Sequence, residues 1–219
     1  MDDSPTINFV LLTIALVFLL LVSAIVDQFF TAGQQLVQAF TIITVAVGLS
    51  RKKSTSYGFL TNLVFLIAIV LVAAIGLMFQ HTGLDVLHIL ILIGFYLYAS
   101  YAAARQVLFT GPIDWNKIVG AICIYLLMGL IWAMSYLLIA QTVPGAFNGL
   151  EQVPWHDNFS DAAYYSFVTL TTLGYGDISP VAPIARFLVY MEAIFGVFYM
   201  AILVASLIGI KASVMSSDK

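Results

Sequence analysis

Charge is what this chain has least of. Its 219 residues include 8 Lys and Arg and 11 Asp and Glu, 9% of the total, where a globular domain carries about 25%. So few charges cannot cover the surface of a water-soluble body, which excludes soluble enzymes and disordered chains. A net charge of −3 gives no basic footprint for a nucleic-acid partner. Cysteine is nearly absent: Cys123 stands alone in an apolar run, so no intrachain disulfide forms. No long Pro/Gly linker and no low-complexity tract interrupts the sequence. Apolar residues, 62% of the chain, take the place of charge, and the mean hydropathy is +1.05. This is the composition of an integral membrane protein whose first partner is the lipid bilayer.

A hydrocarbon core of ~30 Å takes about 20 apolar residues of helix to cross. Residues 7–26, 59–79, 86–104, 118–140 and 187–210 meet that requirement. Residues 36–49 are shorter and contain Gln38, and they reach spanning length only if 29–35 join them. Counting them gives six crossings and sorts the charges. With the N terminus inside, Arg51, Lys52, Lys53, Arg105, Lys117, Lys211 and Lys219 are cytoplasmic, and Arg186 alone lies near the outer end of a helix. Such a bias is the positive-inside pattern, with both termini in the cytoplasm of a plasma or inner membrane. Asp2 and Asp3 occupy the place where a signal peptide would be basic, so the first run reads as a spanning helix.

Two further absences concern sensing. A voltage sensor needs arginines repeated through a spanning helix, because its work is charge moved through the field. The fourth helix has Arg105 only. Nine residues follow Ile210, too few for a ligand-sensing domain. The expected division is a four-helix, non-voltage-sensing front domain (1–108), an interfacial linker (109–117) and a last domain (118–219) that holds the final two spans.

The long external connection, 141–183, is not a simple loop. After a turn-rich stretch through Trp155, residues 161–171 mix apolar and hydroxyl side chains over ~16 Å of helix, half a bilayer. They run into Thr172-Leu173-Gly174-Tyr175-Gly176-Asp177. A half-length helix followed by a glycine-spaced strand is a re-entrant loop, tolerated at membrane depth only where protein buries it or it lines a wet cavity. A dehydrated K⁺ needs a cage of oxygens, and successive carbonyls face one way only when the backbone alternates in hand. Gly174 and Gly176 permit that alternation.

The hexapeptide, the short helix before it and its position between the last two spanning helices resemble the selectivity filter of potassium channels, over residues 118–219. The resemblance implies an all-α membrane protein with six transmembrane helices plus a re-entrant pore helix and filter. Thr172, Leu173, Gly174, Tyr175 and Gly176 would bind K⁺, the permeating ion, and no cofactor is needed. One chain supplies one filter strand, so closing a ring requires a homotetramer. Tyr175 would brace the filter against pore-helix aromatics. Tyr164 and Tyr165 stand where the family often has Trp, and Leu173 replaces the commoner Val. Ser166, Thr169, Asp177 and Glu192 complete the expected filter support. Glu192 is the one carboxylate within a spanning segment and needs a partner, for which Ser166 and Thr169 are the candidates.

Val197, Met200, Val204 and Ile208 share one face of the last helix. The resemblance turns that face toward the cavity as a dewetting gate, with Gly196 allowing a bend; the alternative is ordinary helix packing. His81, Asp85 and His88 fall on one helix face, either as a proton or metal site or as plain outer-edge residues. His156 is the other candidate external pH handle, and Asn158-Phe159-Ser160 is a formal glycosylation sequon. The expectation is a passively conducting K⁺-selective channel. The alternatives are a weakly selective cation channel, a transporter-type K⁺ translocation subunit and a non-conducting regulatory or assembly subunit, with any accessory partner unidentified. A translocation subunit would carry four imperfect filter repeats, and the sequence has a single copy.

Overall fold

The computed structural model describes residues 9–29, 34–49, 56–79, 82–109 and 115–217, and within them the side chains of 34–35, 48–49, 56–62, 76–79, 82, 108–109 and 204–217 lie outside the described set. Seven helices follow in order: α1 Phe9–Phe29, α2 Gln34–Leu49, α3 Ser56–Phe79, α4 Thr82–Phe109, α5 Trp115–Thr142, α6 Phe159–Leu170 and α7 Pro183–Ser217. Among the described residues, strand is limited to β1 Phe147–Asn148 and β2 Ser179–Pro180, an antiparallel bridge with Phe147 opposite Pro180 and Asn148 opposite Ser179. The chain is therefore all-helical. Among the described residues, four helices are long and apolar enough to cross a bilayer, over Phe9–Phe29, Gly83–Val107, Trp115–Thr142 and Pro183–Leu203. Leu36–Val47 and Leu63–Ile75 are shorter apolar stretches.

The front helices pack in sequence, α1 on α2, α2 on α3 and α3 on α4, and both ends of the series close on α5. In α1 the contact surface is a single stripe, Phe9, Leu12, Leu16, Leu19, Ser23 and Val26, spaced alternately by three and four residues. This narrow seam is that of helices packed nearly parallel. On the other side of α1, Val10, Ile14, Val17 and Leu21 form exposed apolar surface suited to lipid. The core does not divide at residues 109–117. One buried cluster runs from α1, α2 and α4 through Cys123, Leu127, Leu130 and Met134 of α5 to Trp155, Phe159 and Ala162. Helix hydrogen bonding in α5 begins at Trp115.

A second cluster, Tyr136, Ile139, Ala140, Ala146, Phe147, Leu150, Tyr165, Ile178 and Ala185, sits beneath the β1–β2 bridge. The amides of Val181 and Ala182 donate to the Ala146 carbonyl at 2.8 and 3.1 Å. The segment leaving the hexapeptide is thereby tied to the segment leaving α5. α7 stands apart from this pattern: it touches α5 and α6, but Phe187, Tyr190, Ile194, Phe195, Phe198 and Ile202 remain exposed.

Candidate selectivity filter and its support

Helix α6 ends in a Schellman cap. Thr171 closes the helix, the Thr172 amide donates to the Thr169 carbonyl at 2.9 Å, and the Leu173 amide donates to the Val168 carbonyl at 2.9 Å. The residue just past the helix end takes a left-handed backbone in this motif, and here it is Thr172, with φ of +61°. A β-branched residue in that region is rare and strained by roughly 1–2 kcal/mol. Gly174 and Gly176 follow at +58° and +82°. Positions 172, 174 and 176 are thus left-handed, with Leu173 and Tyr175 between them outside that region, the alternation that turns successive carbonyls to one side. The two glycines were legible as left-handed positions and Thr172 was expected only as an ion ligand, since caps of this kind are usually signalled by Gly or Asn.

The whole segment from Thr171 to Asp177 is exposed in the isolated chain, and a Cβ at Gly174 or Gly176 would meet nothing within 4 Å. Glycine is needed there for the sign of φ, not for space. The C-terminal end of α6, where the macrodipole is negative, opens onto this segment. Tyr175 is 68% exposed and makes no ring contact with the described residues of its own chain.

Behind the segment, the expected support residues fall into two groups. At the outer mouth the Tyr164 hydroxyl donates to Asp177 Oδ2 at 2.7 Å, and the Ile178 amide donates to Oδ1 at 3.0 Å. The tyrosine bond first, then the amide, hold the Asp177 carboxyl below the usual carboxylate range. Deeper, Glu192 is fully buried. The Ser166 hydroxyl lies 2.5 Å from Glu192 Oε1 and 2.7 Å from the Gly129 carbonyl, and Tyr136 donates to Glu192 Oε2. Among the described residues, the side-chain bonds to Glu192 come from Ser166 and Tyr136 and not from Thr169, the other partner expected for it. Tyr165 packs against Tyr136 and Phe147, with ring centroids 5.1 and 6.0 Å away. Tyr136 and Gly129 were not legible as partners: one is an aromatic among many, the other a small residue in an apolar helix.

Gly196 is buried against the end of α6. A Cβ there would lie 2.3 Å from the Leu170 carbonyl oxygen and 3.2 Å from its carbon, so the glycine lets α7 approach the backbone that carries the hexapeptide. α7 continues as helix through it. Val197 and Met200 lie exposed on α7, while the side chains of Val204 and Ile208 lie outside the described residues.

The external residues resolve differently. His81 lies outside the described residues. His88 is buried with its ring 5.0 Å from that of Trp155, which also packs on Phe159. Among the described residues no group of three His, Cys, Asp or Glu side chains is placed to hold a metal. His156 Nε2 is 3.9 Å from Asp157 Oδ1, yet burial outweighs that carboxylate and pushes the imidazole below its ordinary range. Asn158 is buried, its amide donating to the Glu151 carbonyl at 2.6 Å, so the sequon is not presented for glycosylation.

Comparison with known proteins agrees with this geometry. The ion channel family model matches residues 120–210. An inward rectifier potassium channel, Kirbac3.1 of Paramagnetospirillum magnetotacticum, is 34% identical over 85 residues. That match takes in 39% of this chain and 26% of the relative's length. The similarity to ion channels therefore covers residues 120–210, from α5 through the hexapeptide to α7, and the chain spans about a quarter of the length of the potassium channel that it matches.

Proposed function

We propose that this protein is a K⁺-selective channel that conducts passively, with four copies surrounding one filter. The observation that carries the reading is the run of left-handed residues at 172, 174 and 176, directly after a half-length helix. In the assembled ring the carbonyls of Thr172, Leu173, Gly174 and Tyr175 replace the hydration shell of K⁺, and the Thr172 hydroxyl borders the inner mouth. The exposed apolar surface of α7 and the unpartnered ring of Tyr175 support assembly, since both acquire neighbours when copies meet around the filter. Asp161, near enough to Asp27 and Asp177 to feel both charges, adds to a cation-attracting outer mouth.

The proposed topology has six crossings with both termini cytoplasmic, α2 and α3 completing the count. Voltage does not gate this channel, because α4 offers the field only Arg105. Val197, Met200, Val204 and Ile208 form a dewetting constriction on the cavity face of α7. Flux from liposomes under a K⁺ gradient and under a Na⁺ gradient tests the reading, with Gly174→Asp as the control. K⁺ flux that the substitution abolishes supports it. Equal K⁺ and Na⁺ flux would make the protein a weakly selective cation channel, and silence toward both ions would favour a non-conducting subunit.

A further inference from the structure

We propose that Glu192 is held as a neutral carboxylic acid that donates to Ser166, and that in this form it positions the pore helix α6 between α5 and α7. Three close oxygen–oxygen contacts meet at this junction: Tyr136 Oη with Glu192 Oε2, Ser166 Oγ with Glu192 Oε1, and Ser166 Oγ with the Gly129 carbonyl. Each contact requires a hydrogen between its oxygens. The two hydroxyls supply two, one from tyrosine and one from serine. A proton on the carboxyl group supplies the third. Glu192 then donates to Ser166, Ser166 donates to Gly129, and Tyr136 donates to Glu192, a chain in which every member is satisfied. With Glu192 ionised, the single serine hydrogen would be shared between two acceptors.

The surroundings favour the neutral form. Glu192, Ser166 and Tyr136 are all fully buried. The titratable groups facing the carboxyl are tyrosines, Tyr125 and Tyr136 from α5 and Tyr165 from α6, and no ion pair to Glu192 occurs among the described residues. A buried carboxylate without a cation is unfavourable, whereas a carboxylic acid both donates and accepts. Ser166 lies one turn before Leu170, the last residue of α6, so fixing it fixes the helix end from which the filter segment departs.

The test is difference infrared spectroscopy of the purified full-length protein at neutral pH, wild type against Glu192→Gln, with K⁺ flux measured on the same preparations. A protonated-carboxyl C=O band in the wild type that is absent from Glu192→Gln is the expected result. Gln reproduces the hydrogen pattern, its amide donating to Ser166 and its carbonyl accepting from Tyr136. Glu192→Gln therefore keeps K⁺ flux and K⁺/Na⁺ preference within about twofold, while Glu192→Leu, which can neither donate nor accept, loses about tenfold or more. Absence of the band would overturn the proposal, as would a Gln variant as impaired as the Leu variant. The flux arm rests on the channel reading and the infrared arm does not: a band present in a wild type without flux would sink the channel and leave the neutral acid standing.

Discussion

Replacing Gly196 with alanine adds one methyl group where α7 meets the end of α6, the helix that runs into the candidate filter. In an isolated helix the change is favourable by ~0.8–1 kcal/mol, because alanine loses less backbone freedom than glycine. Here the new Cβ would sit 2.3 Å from the Leu170 carbonyl oxygen and 3.1 Å from its Cδ1. The side chain can turn away; the carbonyl cannot, because Leu170 is the last residue of α6 and its oxygen also faces the Tyr125 hydroxyl at 3.4 Å. Overpacking typically costs ~1–3 kcal/mol, and a clash with backbone belongs at the upper end. The net destabilisation is ~2 kcal/mol, roughly 30-fold in an equilibrium constant. Thermal unfolding of the purified protein and K⁺ flux in liposomes are the assays, with Gly129→Ala as comparison. There the added Cβ meets the Phe167 ring, which can rotate, so the loss is smaller. Gly196→Ala with stability and flux at or above wild type would refute the reasoning, since that is how a glycine with no close neighbour behaves.

Two predictions concern protons at the outer face. Tyr164→Phe removes the main bond that lowers the Asp177 pKa, so the carboxyl should titrate closer to the ordinary ~3.9. The native contribution of that bond is present above the unfolded value and is lost as pH falls through the lower folded one, and the substitution removes this acid-side dependence. An NMR titration of the Asp177 carboxyl that is the same in both proteins would contradict this. For His156 the folded imidazole also titrates below its unfolded value of ~6.5, so the unfolded chain binds more protons in that window and stability rises with pH. Acidification below ~6.5 should therefore destabilise the wild type, and His156→Gln should flatten the profile; an unchanged slope would remove His156 as the cause.

The sequence determined a good deal by itself. An apolar run long enough to span is visible without a fold, because crossing a bilayer is a condition on length and composition alone. The stretches 86–104, 118–140 and 187–210 accordingly lie inside α4, α5 and α7, and 161–171 anticipates α6, Phe159–Leu170, to within two residues at its start and one at its end. Gly174 and Gly176 were equally legible, since their backbone requirement is local. Which face of each helix packs was not legible. In lipid an exposed Leu and a buried Leu differ little in free energy, so the stripe Phe9, Leu12, Leu16, Leu19 on α1 has no hydrophobic contrast to announce it. The left-handed Thr172 was hidden because its side chain argues against that conformation and only the cap hydrogen bonds impose it. The same holds for Gly196 and for the Gly129–Ser166–Glu192–Tyr136 chain: a glycine's need for space, and a buried acid's need for donors and acceptors, are set by residues tens of positions away. Only tertiary packing brings α5, α6 and α7 close enough to create them.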